Sequence, residues 1–450
     1  MDEVPVDPAR ARVYAEGWQS WSPATWYPVD GTGLRPAAST EHTMRFRPGT
    51  PLHTEGIQAE GLLVLDPGDA PARVYGATEA SEDVPTLVLT YRDGIAQVTS
   101  TSPVETHTLD GRVTDVLTDY AAAFGTQAGA RHAPAPRVWC SWYRYFEQVT
   151  STDIIDTLDT LDALEMPVDV VQIDDGWSTG IGNGLRPRNG FGDLVGLVDR
   201  VRQTGRRTGL WLAPFVVGRE TDVAHEQPDW LTSPAGFNWG QELVGLDLTH
   251  PGVRDYLTTT LTRLRDIGVD YLKLDFLYPG AAPARRYHDV PGVQAYRSGL
   301  QLIREVMGPE TFLLGCGAPL LPSVGLVDGM RVSSDTFHEG TEDGSTGLRG
   351  LMSLTARAWQ HGRFWVNDPD SLVARSSYSL REPWSQAFET YGGLRSCSDR
   401  LAELDPWGLD TTRRLMSEQP PEAFKDQVLA RGAQIAMDER TARQEGHTTP

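Results

Sequence analysis

Acidic residues stand at the ends of several short apolar segments of this sequence, where a folded chain could bring them together. Asp275 closes the segment Tyr-Leu-Lys-Leu-Asp, and Asp335 closes the segment Arg-Val-Ser-Ser-Asp. Two carboxyl groups that face each other across a substrate can divide the roles of nucleophile and general acid/base. Because such a pair can complete nucleophilic and acid/base chemistry by itself, we expect neither a metal ion nor another cofactor.

Lys273 lies two residues before Asp275, so in a strand both side chains point to the same side. The chain contains only one other lysine, Lys425, which indicates a specific need for a compact ammonium group at position 273. We expect this charge to lower the pKa of Asp275 and to keep it ionised as a nucleophile. The alternative is a structural ion pair, which we favour less because a buried pair contributes little stability.

Two adjacent carboxylates, Asp174 and Asp175, follow another apolar segment. Since side chains alternate along a strand, both can point inward only if the chain bends there. Their mutual repulsion requires nearby donors, for which sugar hydroxyls and Lys273 are candidates. The alternative is a pair of acids in a helix cap or turn.

Arg331 and Asp335 flank the end of a further segment. A general acid must be protonated when the substrate arrives, so we expect Asp335 to be less solvated than Asp275. A surface Arg-Asp pair is the alternative. The Asn-Asp-Pro-Asp sequence at 367–370 could bind a metal or form a turn, and we predict the turn because Asx-Pro sequences favour it.

Eight short apolar segments, separated by helical patterns, must position these residues. The segments cover 137–142, 168–173, 208–213, 270–276, 311–316, 329–333, 363–367 and 392–397. Amphipathic helices are predicted after Ser151 and over 193–204, 251–267, 292–307, 343–361 and 380–391. This alternation predicts a closed (β/α)8 barrel of the TIM type, whose site lies at the C-terminal ends of the strands. An open doubly wound sheet is the alternative, but the Gly-rich turn usual after its first strand is missing.

The chain divides into three parts in this interpretation. Residues 1–130 contain short alternating segments broken by turns, and they predict a smaller antiparallel, sandwich-like β domain with a helix over 114–124. Residues 131–405 form the barrel, with a β-hairpin excursion over its mouth within 215–250. Residues 406–450 are polar and predict a helical and then disordered tail.

Tryptophans accompany the acids, as expected for a site that stacks aromatic rings on the C–H face of a sugar. Trp142 and Trp211 stand near the ends of two barrel segments. Trp18 and Trp21 in the β domain either belong to its core or reach the barrel mouth, and we expect a core position for at least one.

The charge of the chain restricts its partners. The 450 residues carry 61 acids against 40 lysines and arginines, a formal net charge of −21. Such a field repels phosphate backbones and anionic membranes, so we expect neither nucleic acid nor membrane as a partner. A neutral small-molecule substrate is compatible with it, although the acidity also serves solubility.

Targeting and metal-binding patterns are missing from the sequence. No secretory signal is visible at the N-terminus and no apolar run approaches the ~20 residues of a membrane span, so we expect a cytoplasmic protein. The three cysteines, Cys140, Cys316 and Cys397, are far apart, which argues against a disulfide framework and a zinc site.

Taken in order, these motifs resemble those of glycoside hydrolase family 36, which shares a clan with the family 27 α-galactosidases. The likeness covers about 137–400 and extends loosely to the β domain. It is carried by Ser141 to Tyr143, Asp174 to Trp177, Gly209 to Trp211, Tyr271 to Asp275, Gly315 to Gly317, Arg331 to Asp335 and Asn367 to Asp370.

The resemblance implies a role for each site residue. Asp275 matches the nucleophile and Asp335 the acid/base. The other matching residues bind substrate: Asp174 and Asp175 at O4 and O6 of galactose, Lys273 at O3 and O4, Cys316 near O2, and Trp142, Trp211 and Arg331 elsewhere around the site. The sequence departs from the family after Cys316, where Gly-Ala-Pro replaces a Ser-Gly-Gly-Gly run.

The implied function is the release of terminal α-galactose from an α-galactoside or oligosaccharide with retention of configuration. A retaining enzyme needs its carboxyl groups about 5–5.5 Å apart, and we expect that separation between Asp275 and Asp335. The alternatives are a raffinose-synthase-like galactosyltransferase, an α-N-acetylgalactosaminidase, a sugar-binding barrel without activity and an unrelated metal-dependent barrel enzyme. A homo-oligomer is compatible with the sequence.

Overall fold

An N-terminal β domain and a barrel form the protein in its computed structural model. The structure describes residues 1–36, 39–109, 113–183, 186–238, 240–336 and 347–420. The β domain contains β1 (Asp2–Pro5), β2 (Arg12–Ala15), β3 (Thr25–Pro28), α1 (Ser39–Arg45), β4 (Ile57–Glu60), β5 (Leu62–Asp66), β6 (Ala72–Gly76), β7 (Thr86–Arg92), β8 (Ile95–Ser100) and β9 (Glu105–Leu109). The helix α2 (Val113–Ala128) follows and includes the predicted helix over 114–124.

Two antiparallel sheets make up this domain. Their strand orders are β1-β8-β7-β4 and β3-β2-β5-β6-β9. Alternating apolar side chains such as Val13, Leu63 and Leu87 form a buried core shared by the two sheets. The β7–β8 hairpin turns through Asp93 and Gly94, both with positive φ (49° and 83°), as a two-residue Asp-Gly turn requires. The predicted antiparallel β domain is confirmed.

Each of the eight predicted segments overlaps one barrel strand. The strands from here on are β10 (Arg137–Cys140), β11 (Val170–Ile173), β12 (Arg207–Leu212), β13 (Val216–Gly218), β14 (Leu231–Asn238), β15 (Gln241–Leu246), β16 (Val269–Leu274), β17 (Phe312–Gly315), β18 (Gly329–Arg331), β19 (Val366–Asp368) and β20 (Arg395–Cys397). The helices are α3 (Trp142–Tyr145), α4 (Ser151–Ala163), α5 (Leu194–Gln203), α6 (Asp222–Glu226), α7 (Pro251–Ile267), α8 (Gly292–Met307), α9 (Leu320–Ser323), α10 (Gly347–Ala356), α11 (Arg381–Tyr391) and α12 (Pro406–Ser417).

The order of the parallel strands is β19-β18-β17-β16-β12-β11-β10-β20, which follows the chain around a barrel. At the seam between β19 and β20, the backbone N–H of Leu394 donates to the carbonyl of Asn367 at 2.8 Å. Leu372 bridges the same seam by backbone hydrogen bonds to Ser396 and Ser398. The predicted (β/α)8 barrel is confirmed, and the open doubly wound sheet is excluded.

Local sequence signals account for the start of α4. Thr150 caps α4, one residue before the predicted start, and exchanges hydrogen bonds with Asp153 in a capping box. Its apolar side Ile154, Leu158 and Leu161 is buried. The first residues of the helix predicted over 343–361 lie outside the described residues, as do Trp239 and the chain from 421 onwards.

An excursion leaves the barrel between β12 and β16. Here β13, β15 and β14 form a three-stranded antiparallel sheet, as predicted for part of 215–250. The last residues of β14, Phe237 and Asn238, lie at the barrel mouth.

The loop between β2 and β3 fastens the β domain to the barrel. Its Glu16 carboxylate accepts a hydrogen bond from Nε of Arg357 at 2.8 Å, and the Arg357 side chain is fully buried. Farther along the loop, the backbone N–H of Ser20 donates to the carbonyl of Ala318 at 3.0 Å. These contacts fix the loop, and with it Trp21, against the C-terminal edge of the barrel.

Candidate active site

A cavity of about 510 Å3 lies at the C-terminal ends of the barrel strands. It is lined by Trp21, Thr40, Glu41, Met44, Arg45, Trp142, Asp174, Asp175, Trp211, Phe237, Asn238, Lys273, Asp275, Phe276, Ser334 and Asp335. All the predicted site residues except Cys316 and Arg331 are in this lining. The fold therefore brings together side chains that are up to about 190 positions apart in sequence, as expected for a barrel.

Asp174 lies on the cavity floor and accepts several hydrogen bonds. Its Oδ2 accepts hydrogen bonds from Nζ of Lys273 at 2.9 Å, Nε2 of Gln172 at 2.6 Å and the thiol of Cys140 at 3.3 Å. Its Oδ1 accepts from the backbone N–H of Asp175 at 2.9 Å. The carboxylate is thus held rigidly where it can meet a ligand.

Asp175 reaches the cavity because the chain turns immediately after β11. Gly176 makes this turn with φ 104°, and a Cβ there would lie 2.6 Å from the backbone of Glu147. Burial raises the pKa of Asp175 to about 7, and the charges of Asp174, Glu147 and Asp275 add to the effect, although a hydrogen bond from Gly176 opposes it. The predicted bend after β11 is therefore present. The charge of Asp175, unlike that of Asp174, is poorly compensated by hydrogen-bond donors.

Lys273 pairs with Asp174 and not with Asp275, although both Lys273 and Asp275 line the cavity. Burial lowers the pKa of Lys273, but the acidic groups around it, Asp174 first among them, together raise it by more, so the ammonium keeps its proton. This agrees with the prediction that Lys273 offsets the repulsion between Asp174 and Asp175, and the lysine side chain passes β12 to reach the end of β11.

Asp275 lies on the cavity floor and is 7% exposed. Its Oδ2 accepts from Nε1 of Trp211 at 3.0 Å, and its Oδ1 accepts from the backbone N–H of Phe276 at 2.8 Å. Burial raises the pKa of this carboxyl, and although Lys273 opposes the shift, the result stays above the usual value. The expectation of a lowered pKa for Asp275 is therefore wrong in the ligand-free site, since burial outweighs the ammonium.

Asp335 lies at the rim, and its side chain is 48% exposed. Burial raises its pKa, but the Arg331 guanidinium, whose Nη2 is 2.9 Å from Oδ1, together with the charges of Lys273 and Arg45 more than offsets this and holds the pKa below its usual value. We expected Asp335 to be less solvated than Asp275, and the structure contradicts this. The reason is that β18 ends at Arg331, so the following residues carry Asp335 outward, whereas Asp275 directly follows β16.

Arg331 connects Asp335 to a buried network and is itself only 1% exposed. Its Nη1 lies 3.2 Å from Oδ1 of Asp370. The other oxygen of Asp370 accepts from the hydroxyl of Tyr143 and from the backbone N–H of Thr336 at 2.6 Å. The alternative of a surface Arg-Asp pair is thus excluded for Arg331, and Asp370 holds the guanidinium that faces Asp335.

The Asn-Asp-Pro-Asp sequence at 367–370 forms a turn, as predicted. The backbone N–H of Asp370 donates to Oδ1 of Asp368 at 2.9 Å, and Asp370 has φ 81°. Among the described residues, no group of three or more His, Cys, Asp and Glu side chains is arranged to hold a metal ion. No helix in the described part of the chain is long and apolar enough to cross a membrane.

The remaining predicted residues differ in their distance from the cavity. Trp142 and Trp211 form parts of its wall. Cys316 is fully buried behind Asp275, with its Sγ 3.8 Å from Nη1 of Arg331. Of the two uncertain tryptophans, Trp18 is a core residue at 2% exposure and Trp21 lines the cavity.

Several cavity residues were missed by the sequence analysis. Cys140 and Gln172, which donate hydrogen bonds to Asp174 beneath the cavity, lie two positions before Trp142 and Asp174, so strand alternation could have identified them. The helix α1, which contributes Glu41 and Arg45, carries no such signal, because its position depends on how the β domain packs on the barrel.

Comparisons with known proteins agree with this geometry. The Melibiase family model matches residues 127–290. An α-galactosidase of Escherichia coli is 29% identical over 150 residues, which cover 30% of this chain and 21% of that protein. An α-xylosidase of Emericella nidulans is 24% identical over 263 residues, covering 48% of this chain and 32% of that protein. The matches thus span less than a third of the length of these curated relatives.

A solved structure is similar over a much larger share of the chain. The α-galactosidase TtGalA of Thermus thermophilus, in complex with p-nitrophenyl α-D-galactopyranoside, superposes with a TM-score of 0.79 and 27% identity. The superposition covers 93% of this chain and 88% of that one. With the strand-end motifs and the cavity that they form, these similarities support the resemblance to glycoside hydrolase family 36 that was drawn from the sequence.

Proposed function

We propose that this protein is a retaining glycoside hydrolase that releases terminal α-galactose from small α-galactosides. The observation that carries the proposal is the shared cavity of Asp275, Asp335 and the Asp174–Lys273 pair. Carboxylates and an ammonium group in one cavity suit the hydroxyls of a neutral sugar, because hydrogen bonds to charged groups are stronger than those between neutral groups.

Asp275 has the position of a nucleophile. Trp211 and the backbone of Phe276 hold its two oxygens, so the carboxylate is oriented before a substrate arrives. Its raised pKa makes it a stronger base, and attack on the anomeric carbon with departure of the leaving-group oxygen forms a glycosyl-enzyme ester. Loss of the charge on Asp275 relieves its repulsion with Asp335 and Asp175.

Asp335 has the position of the acid/base, at the rim where a leaving group would depart. Its lowered pKa in the ligand-free site is unsuitable for an acid, but a bound sugar covers the exposed side chain and excludes water. Removal of water raises a carboxyl pKa, so we expect the substrate itself to promote protonation of Asp335. After proton transfer to the leaving oxygen, the same carboxylate deprotonates the water that releases galactose.

A panel of nitrophenyl glycosides tests the substrate class. We expect cleavage of the α-galactoside and much slower cleavage of the β-galactoside, α-xyloside and α-N-acetylgalactosaminide, with a chelator leaving the rate unchanged. NMR of the first-formed sugar should show the α anomer. Preferred cleavage of another glycoside would reject galactose as the substrate, and a β anomer would reject retention.

The nucleophile is tested by Asp275→Gly. We expect turnover to fall at least about a thousandfold, since the covalent step is lost, and azide to restore it with a β-galactosyl azide product. In Asp335→Ala, poor leaving groups should lose more rate than activated ones. Substantial activity of Asp275→Gly without azide would remove Asp275 from this role.

A further inference from the structure

The cavity rim beside Asp335 is built by the β domain and not by the barrel. The helix α1 places Glu41 and Arg45 there, with Nη1 of Arg45 3.8 Å from Oε1 of Glu41. Both side chains are about one-fifth exposed, at 21% for Glu41 and 20% for Arg45. The Arg45 charge also acts on Asp335, whose pKa it helps to lower. A charged donor and a charged acceptor thus stand together next to the candidate acid.

This rim is fixed relative to the barrel. The carbonyl of Met44 accepts a hydrogen bond from the side-chain amide of Gln19, and the carbonyl of Arg45 accepts one from the hydroxyl of Ser22 at 2.5 Å. Gln19 and Ser22 belong to the loop that docks on the barrel through Ser20 and Arg357. On the opposite side, α1 packs against β14. The end of the helix therefore has a defined position beside Asp335.

A second recess borders the same rim residues. A smaller recess of about 30 Å3 shares Trp21, Glu41, Arg45 and Ser334 with the main cavity. Its lining contains neither Asp174 nor the other acids of the cavity floor. The molecule thus has a floor suited to one sugar ring and, beside Asp335, a rim that carries the Glu41–Arg45 pair.

On the basis of the proposed function, we propose that Glu41 and Arg45 form a leaving-group subsite that selects a sugar as the leaving group. The acid protonates the glycosidic oxygen, so the leaving group must lie against whatever surrounds Asp335. A sugar offers hydroxyls that can donate to Glu41 and accept from Arg45, and an apolar ring face for Trp21. A methyl leaving group offers neither, and an aryl leaving group offers a ring face but no hydroxyls.

The test compares three α-galactosides that differ only in the leaving group. Melibiose has a sugar, methyl α-galactoside has a poor leaving group without a sugar, and nitrophenyl α-galactoside has an activated one. We expect Glu41→Gln and Arg45→Met to lower kcat/KM for melibiose by about 10- to 100-fold more than for methyl α-galactoside, as loss of charged hydrogen bonds implies. The matched control is Thr43→Ala, which changes an α1 residue outside the cavity lining and should keep all three ratios.

The methyl glycoside separates binding from acid catalysis. Removal of the Arg45 charge raises the pKa of Asp335, which favours the protonated acid and cannot explain a loss on melibiose. Equal losses on melibiose and methyl α-galactoside, or a melibiose ratio equal to that of the wild type, would overturn the subsite. If the unmodified protein cleaves none of the three compounds, the proposed function itself fails. Thermal unfolding of each variant shows whether α1 keeps its packing.

Discussion

Two buried carboxyl groups, Glu16 at the junction of the domains and Asp175 in the cavity, differ sharply in how they are compensated. Glu16 is 2% exposed and Asp175 is 8% exposed, so water reaches neither of them freely. Glu16 accepts four hydrogen bonds, from the hydroxyl of Tyr14, the backbone of Gly17, Nε of Arg357 and the amide of Gln360. That number fills the acceptor capacity of a carboxylate.

Asp175 has far less support. Within the described residues it accepts one hydrogen bond, from the backbone N–H of Gly176. Its neighbours include Asp174, Glu147 and Asp275, whose charges repel it. The comparison teaches that this protein can compensate a buried acid completely where the acid joins two domains, and that it leaves acceptor capacity open where a ligand is expected to bind. The unused acceptor capacity of Asp175 lowers the stability of the folded protein, as is common at functional sites.

The largest effect is expected at the junction, from Arg357→Met. This change leaves the Glu16 carboxylate buried without its cation, so the free energy of unfolding should fall by about 3–5 kcal/mol. Urea unfolding at pH 7 measures it. The double variant Glu16→Gln/Arg357→Met should recover much of the loss, because no unpaired charge remains.

A surface pair supplies the control for that experiment. Arg414 and Glu389 are both 46% exposed, so Arg414→Met should cost less than about 1 kcal/mol. A loss as small as this in Arg357→Met would mean that Glu16 is not dependent on its cation.

An effect of opposite sign is expected from Asp175→Asn. The pKa of Asp175 is raised from 3.8 to about 7, so between these values the folded protein holds a proton that the unfolded chain releases. Its contribution to the free energy of unfolding therefore declines as the pH rises from about 4 to 7, and the carboxylate is destabilising above that window. We expect Asp175→Asn to stabilise the protein by about 1–3 kcal/mol at pH 8 and by much less at pH 4.

The same variant should be a worse catalyst. If Asp175 binds a sugar hydroxyl, the neutral amide should lower kcat/KM on an α-galactoside by about tenfold or more. Unfolding curves at pH 4 and pH 8, together with the kinetics, decide the matter. Equal stability changes at both pH values, or unchanged kinetics, would make Asp175 a structural acid like Glu16.

The smallest effect is expected from Asp370→Asn, which alters the partner of Arg331. Asp370 and Asp335 both contact the guanidinium of Arg331, and the charges of Lys273 and Arg45 also act on Asp335. With the Asp370 charge removed, Arg331 acts on Asp335 alone and lowers its pKa further. The upper limb of the kcat/KM profile, where the acid loses its proton, should move to lower pH by up to about one unit. A limb that stays in place, or moves upward, would show that Asp370 does not act through Arg331.

The strand-end residues could be predicted because the rule that places them is local. A short apolar segment ends, and its last polar side chain faces the axis of the barrel, which is how Asp174, Asp275 and Trp211 were found. The eight strands could be predicted for a similar reason, because apolar runs and helical periodicity are both visible over 10 to 20 residues.

Properties that depend on packing between distant segments could not be predicted in this way. The spacing of Lys273 and Asp275 placed both side chains on one side of a strand, but it did not show that the ammonium would pair with Asp174 and not with Asp275. The exposure of Asp335 depends on the path of the chain after β18, which no pattern encodes. The contribution of Glu41 and Arg45 depends on how one domain docks on the other.

The loop from Glu16 to Ser22 has a consequence for how the protein folds. Arg357 joins it to the barrel across 341 positions of sequence, and Ser20 joins it across 298. Contacts between such distant positions close large loops and form slowly compared with the local β-α units of the barrel. In refolding experiments we therefore expect helical circular dichroism to return first and enzymatic activity last, because the final wall of the cavity forms only when the loop from Glu16 to Ser22 meets the barrel at Ala318 and Arg357.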